Sequence, residues 1–142
     1  KIKKKIVEKD ETETAQRKVL NFGHTFAHAY EAGLGYSRKL NHGEAVILGM
    51  KTALNFSLKE NIISKNEYNL IINHINNSGL PSSVKKYFSL KDLNKILSFM
   101  IKDKKNNSGK INLVLLKKIG KPIFNKQYSK KKLSLFLKNI IN

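Results

Sequence analysis

Four polar side chains with restricted geometry recur between Arg17 and His28. Asn21 follows Arg17 by four positions, His24 follows by three more, and His28 by another four. On a continuous helix, at about 100° per residue, they would share a stripe about 60° wide, opposite an apolar face. An ordinary surface helix carries flexible Lys and Glu there instead. The pattern therefore predicts a helix with one core face and one face for binding or catalysis.

The histidines suggest a metal ion. His24 and His28 could bind one ion together or have two separate functions. His42 comes just before a predicted helix. At that position the helix dipole disfavours imidazolium, which keeps the ring able to ligate. A catalytic zinc takes three protein ligands, and Glu31 lies near the same stripe as a candidate third. His74 has no other candidate polar residue near it in its predicted helix, and we assign it a structural or surface role. Spacing alone predicts a metal or anion site and does not choose between them.

The elements that must position these residues are mostly helical. Caps and breakers predict helices at residues 2–9, 15–32, 43–61, 64–79 and 89–102, a helical turn at 84–88, and a last helix from Ser129. Residues 111–116 and 122–125 have the pattern of two short strands joined across Gly120. The sequence therefore predicts one mainly helical domain over residues 1–142, with one small β-hairpin.

Composition excludes several classes of protein. The 142 residues are 40% apolar and 27% charged, which suffices for one core and not for two. The absence of Cys excludes disulfide scaffolds, thiolate metal sites and cysteine nucleophiles. No apolar run approaches the roughly 20 residues of a membrane helix.

The net charge of +18 is better explained by a solvated lysine surface than by a nucleic-acid partner. Of 28 basic residues, only Arg17 and Arg38 are arginine. Nucleic-acid readers favour arginine, because its planar fork makes two-pronged contacts with bases and phosphate. We therefore expect neither a nucleic-acid nor a membrane partner.

Longer blocks of the sequence resemble one enzyme family. In order, they are KKKIV (residues 3–7), DE (10–11), Glu13, RKVLNFGHTFAHAYE (17–31), NHGEAV (41–46), GM (49–50), GLP (79–81), DKK (103–105) and Gly109. Over nearly the whole chain they resemble the C-terminal helical domain of 3-dehydroquinate synthase. Ala27 and Ala15 stand where that family has Gly usually and often, respectively. Both changes replace one small residue by another on a helix.

The resemblance implies that the domain normally packs against an N-terminal α/β nucleotide-binding domain. That domain would bind NAD and supply a Glu as metal ligand. No Gly-rich phosphate loop occurs in these 142 residues. We therefore expect the chain to be a fragment, inactive as a synthase by itself.

The resemblance also implies roles for the histidines. His24 and His42 would ligate Zn²⁺ or Co²⁺, and the third ligand would be the upstream Glu, so Glu31 loses most of its claim as a ligand. His28 would be the catalytic residue, facing the substrate and taking part in proton transfer near its phosphate.

The implied contacts to substrate involve cationic and amide side chains. Lys3 and Arg17 would hold a carboxylate, for which the arginine fork is suited. Asn21, His28 and one of Lys104 and Lys105 would approach a phosphate. A phosphorylated keto sugar acid, 3-deoxy-D-arabino-heptulosonate 7-phosphate, is the implied substrate.

The implied reaction makes 3-dehydroquinate in the shikimate pathway of aromatic amino acid biosynthesis. It combines transient oxidation by NAD, loss of phosphate by β-elimination, re-reduction, ring opening and aldol closure, with the metal as Lewis acid. We expect a cytoplasmic homodimer.

Other hypotheses remain open at this point. Another sugar-phosphate cyclase or a metal-dependent polyol dehydrogenase could share such a helical half. A stand-alone basic helical binding module is a different class of protein, and the two histidines beside Asn21 argue against it. A decayed gene is a further possibility, which the intact capping boxes and motif residues disfavour.

Overall fold

The computed structural model describes residues 3–4, 16–103 and 109–142, without the side chains of residues 16 and 17. The elements are a 3-10 helix (Gln16–Asn21), helices α1 (His24–Gly33), α2 (His42–Lys59) and α3 (Lys65–Asn77), 3-10 turns at Val84–Lys86 and Leu90–Asp92, helix α4 (Leu93–Lys102), strands β1 (Lys110–Lys118) and β2 (Lys121–Ser129), and helix α5 (Lys130–Ile141). The predicted mainly helical fold with one hairpin is confirmed. No helix among the described residues is long and apolar enough to cross a bilayer.

The single helix predicted over residues 15–32 is wrong. A 3-10 helix ends at Asn21, and Gly23 then takes a left-handed conformation (φ 79°) as the residue that precedes α1. Glycine adopts this conformation at no steric cost, so the chain turns there instead of continuing as one helix. The stripe of about 100° per residue therefore does not extend back to Arg17. Of the four polar residues in that stripe, only His24 and His28 lie together in α1.

A capping box fixes the start of α2. The Glu44 backbone N–H donates to Asn41 Oδ1 and the Asn41 N–H donates to Glu44 Oε2, both at 2.9 Å. These reciprocal bonds satisfy two donors that a helix N-terminus would otherwise leave unpaired. The capping box makes His42 the first residue of α2.

Helices α1 and α2 pack so closely that glycine is required where they cross. A Cβ added to Gly49 would fall against the Gly23 carbonyl oxygen and 2.8 Å from the Ala27 backbone nitrogen. Ala27 is fully buried at this crossing, where a small side chain is needed. Phe26 and Tyr30 continue the buried face of α1 into the core, where Phe26 meets Phe136 of α5.

The hairpin packs on the same core and is longer than the predicted strands. Tyr128 of β2 stacks edge-on against Phe56 of α2 at 4.8 Å between ring centroids. The Leu116 N–H of β1 donates to Ser57 Oγ at 3.2 Å. Tyr128 lies beyond the predicted strand at residues 122–125, so its contact with α2 supports the longer β2.

A β-bulge interrupts the hairpin. Leu113 pairs with Lys126 and Leu115 with Ile123, so Val114 faces two residues of β2. One of these two is Asn125, which has a left-handed backbone (φ 60°). Such a bulge bends the strand and re-aims a side chain.

Lys3 and Lys4 are helical. The rest of the helix predicted at residues 2–9 lies outside the described residues.

Candidate functional site

A cleft of about 320 Å³, with both polar and apolar walls, lies between the N-terminal end of α1, the 3-10 helix and the hairpin. Its walls include three of the residues singled out by the sequence, Asn21, His24 and His28. Thr25 Oγ1 donates to the Asn112 carbonyl oxygen at 3.3 Å and so joins α1 to β1 within the cleft. The cleft therefore exists because the hairpin closes over the start of α1.

His24 is half-buried and has a defined proton position. Its Nδ1 lies 3.3 Å from the Phe22 carbonyl oxygen, which can only accept, so Nδ1 carries the hydrogen. In the neutral ring, Nε2 is then the nitrogen with the lone pair. The His28 ring lies edge-on to it, with centroids 5.6 Å apart.

His42 stands on the other side of His24 and has its own partner. Its Nδ1 is 2.9 Å from Glu31 Oε1, and the ring centroids of His24 and His42 are 6.4 Å apart. The Glu31 side chain is 13% exposed and that of His42 is 66% exposed. A carboxylate accepts from Nδ1–H, so in the neutral ring the lone pair is on Nε2.

These rings suit a divalent metal by donor type. Neutral imidazole nitrogens are favoured ligands of Zn²⁺ and Co²⁺. Two imidazoles that share one tetrahedral zinc have centroids about 5 Å apart at a zinc–nitrogen distance of about 2 Å. The His24–His28 pair is near this separation, whereas the exposed His42 ring must approach His24 by about 1 Å. Within residues 3–4, 16–103 and 109–142, no three His, Asp or Glu side chains form a ready-made metal cluster. A third ligand would have to come from elsewhere.

The remaining predicted residues are only partly placed. Lys3 is exposed. Arg17 belongs to the 3-10 helix, but its side chain lies outside the described part, as do Lys104 and Lys105. Glu31 was a candidate third ligand on the basis of spacing, and its carboxylate instead contacts Nδ1 of His42.

Sequence reasoning missed Lys18 and Asn125, which also line the cleft. Lys18 Nζ donates to Asn125 Oδ1 at 3.0 Å, so a cation from the 3-10 helix meets the bulged residue of β2. Asn is depleted in strands and enriched at left-handed backbone positions, so an Asn within a predicted strand could have indicated the bulge at Asn125. Asp103, from the end of α4, also lines the cleft and adds a carboxylate to this cationic wall.

Fold and cleft together define a helical domain in which His and Asn side chains line a cleft beside a β-hairpin. A model of the family described as 3-dehydroquinate synthase C-terminal matches residues 1–106. The chain belongs to this family.

Two relatives show the same relationship over most of the chain. The 3-dehydroquinate synthase of Pelagibacter ubique (strain HTCC1062) is 61% identical over 137 residues, which cover 96% of this chain and 37% of the relative. The 3-dehydroquinate synthase of Zymomonas mobilis subsp. mobilis (strain ATCC 31821 / ZM4 / CP4) is 38% identical over 133 residues, which cover 93% of this chain and 35% of the relative. The chain thus spans little more than a third of these relatives.

A solved structure shows the same fold. It is 2-deoxy-scyllo-inosose synthase complexed with carbaglucose-6-phosphate, NAD⁺ and Co²⁺, with a TM-score of 0.75 and 22% sequence identity. The match covers 96% of this chain and 38% of that chain. At this identity the likeness concerns the fold alone.

Proposed function

We propose that this chain is the metal- and substrate-binding half of a 3-dehydroquinate synthase. The complete enzyme would convert 3-deoxy-D-arabino-heptulosonate 7-phosphate to 3-dehydroquinate with NAD and a divalent metal. The observation that carries the proposal is the gathering of Asn21, His24 and His28 in one cleft, with the His42 ring beside His24. Membership of the family and the 61% identical synthase support it.

The metal would be held by His24 and His42 through Nε2, since both Nδ1 atoms have acceptors. The bound ion would be Zn²⁺ or Co²⁺, and would supply Lewis-acid stabilisation of oxygens that gain charge. Its third ligand would come from an N-terminal nucleotide-binding half, which would also bind NAD. The structural neighbour is itself complexed with NAD⁺ and Co²⁺, which supports a requirement for both groups.

The other residues would bind and protonate the substrate. His28 is exposed in the cleft within one helical turn of His24, so its ring can exchange a proton with a ligand there. The Asn21 amide would donate to the phosphate, and Lys104 or Lys105 would approach it too. Lys3 and Arg17 would hold the carboxylate.

A chimera tests the proposal directly. This chain would replace the matching C-terminal segment of the Pelagibacter ubique synthase, and phosphate release from the keto acid phosphate would be measured with NAD and Zn²⁺ or Co²⁺. We expect turnover from the chimera and none from the 142 residues alone. A folded chimera without turnover, or turnover by the isolated chain, would contradict the proposal.

Variants of the chimera separate the histidine roles. His28→Gln should retain metal and lose turnover by about 10²-fold or more, as for loss of a general acid or base. His24→Ala and His42→Ala should lose metal and activity together. His74→Gln, on the exposed side of α3, is the matched control and should change neither.

A second candidate is another cyclase acting on a sugar phosphate, which the fold of 2-deoxy-scyllo-inosose synthase favours. The same chimera assayed with a hexose 6-phosphate would detect it. NADH accumulation from a polyol without phosphate release would instead indicate a dehydrogenase. A cytoplasmic homodimer remains part of the proposal, to be tested by the chimera's mass in solution and by cell fractionation.

A further inference from the structure

Glu31 and His42 form a contact that the proposed roles do not use. The Glu31 side chain is largely buried at the last turns of α1, and its Oε1 meets Nδ1 of His42 at 2.9 Å. The backbone oxygen of Glu31 also accepts from the Tyr36 N–H at 2.8 Å, which fixes the loop leading to α2. Glu31 is thus held on a rigid element, while the His42 ring is mostly exposed.

This contact does little for stability as such. A hydrogen-bonded pair with one exposed member contributes roughly 0–1 kcal/mol. An exposed imidazole with no fixed partner can rotate about its side-chain torsions and exchange its proton between the two nitrogens. The carboxylate therefore changes the orientation and tautomer of the ring more than the stability of the domain.

We propose that Glu31 is a positioning residue for metal binding. By accepting from Nδ1–H, it holds His42 in the tautomer whose Nε2 lone pair can join His24 at one ion. This inference rests on the proposed function. It also explains why Glu31 is not a ligand of that ion, because the carboxylate lies at the nitrogen opposite the binding one.

The test is a Zn²⁺ titration of the 142-residue chain labelled with ¹⁵N-histidine. Nitrogen shifts identify the tautomer of His42 before zinc is added and the coordinating nitrogen afterwards, and calorimetry gives Kd. Glu31→Ala removes the acceptor, and Glu31→Gln keeps an acceptor without charge. Glu60→Gln is the matched control, because Glu60 is 16% exposed and pairs with Lys132 of α5.

We expect the wild type to hold Nδ1–H on His42 and to coordinate zinc through Nε2. In Glu31→Ala, His42 should populate both tautomers. Zinc binding should weaken by about 10- to 100-fold, as when other carboxylates that hydrogen-bond a metal-ligating His are removed. Glu31→Gln should fall between Glu31→Ala and the wild type, and Glu60→Gln should bind as the wild type does. Thermal melts would show whether each variant is folded.

Three results would overturn the inference. Zinc bound through Nδ1 of His42 would make Glu31 a candidate co-ligand instead. Unchanged Kd and tautomer in both Glu31 variants would remove the positioning role and leave the proposed function intact. A wild-type chain that binds no zinc at millimolar concentration would overturn the positioning role together with the metal assignment, whereas an inactive chimera tests only the reaction.

Discussion

The carbonyl oxygen of Gly23 lies where a side chain on Gly49 would begin. This contact sets the distance between α1 and α2, and hence between His24, the first residue of α1, and His42, the first residue of α2. The two glycines act differently. Gly23 supplies a left-handed turn and Gly49 supplies space on an ordinary helix.

Replacing Gly49 with Ala should destabilise the domain by about 1–3 kcal/mol, because the new methyl group meets backbone atoms that cannot move aside. Gly43→Ala, six residues earlier in α2, is the control. Its Cβ would lie 3.6 Å from Asn41 Oδ1, an ordinary contact, and Ala favours a helix by about 1 kcal/mol. Urea unfolding of the two variants should give changes of opposite sign. Equal effects would mean that the crossing is not tight.

Zinc should raise the melting temperature of the chain through His24. A ligand at 100 times its Kd adds about 2.7 kcal/mol to the free energy of unfolding. His24→Ala should abolish this zinc-dependent shift, whereas His74→Ala should leave it in place, since His74 is exposed on α3. Scanning calorimetry with and without zinc measures both. A shift that survives His24→Ala would show that zinc binds elsewhere.

The left-handed backbone of Asn125 should make this position tolerate Gly and resist Ala. Asn125→Ala should cost about 1 kcal/mol more than Asn125→Gly, because a Cβ is strained at positive φ. Both variants lose the acceptor for Lys18, so their difference isolates the backbone term. Denaturant midpoints of the pair provide the measurement, and identical midpoints would contradict the bulge geometry.

Tyr30 should make the domain sensitive to alkali. Burial raises the pKa of its hydroxyl, which can only donate to Thr52 Oγ1, because the threonine hydrogen is used on the Leu48 carbonyl. The unfolded chain ionises Tyr at about pH 10. The contribution of Tyr30 to stability is therefore fully present below about pH 10 and is lost as the pH rises above it.

Two variants separate this ionisation from the hydrogen bond. Tyr30→Phe should cost about 1 kcal/mol at pH 7 and flatten the fall in unfolding free energy above pH 10 by up to about 1.4 kcal/mol per pH unit. Thr52→Val should cost a similar amount at pH 7 but keep the steeper fall, because the buried phenol remains. Parallel pH profiles for Tyr30→Phe and wild type would refute the assignment.

Local signals predicted much of the fold. Ser64 and Ser129 cap the helices that were predicted to begin at these two residues. Caps are recognisable because side chain and backbone partners lie within three residues of each other. The second strand was predicted too short, because Tyr128 near its end packs against Phe56 of α2, a partner far away in sequence.

The candidate site was predicted less completely. His24, His28 and Asn21 do meet in one cleft, although the continuous helix on which that prediction relied is broken at Gly23. Gly23 is visible in the sequence, but its positive φ is a property of the folded backbone. Lys18 and Asn125 were missed because their contact spans 107 positions, and one lysine among many carries no visible signal.

The bond from Thr25 to Asn112 joins residues 87 positions apart. Closing a loop of that length costs chain entropy before any contact compensates for it, so contacts of this kind form late in folding. A folding intermediate that already contained α1 with both of its histidines would therefore still lack the far wall of the cleft. Ligand binding should appear only with the final cooperative step, which makes cleft occupancy a kinetic marker of complete folding.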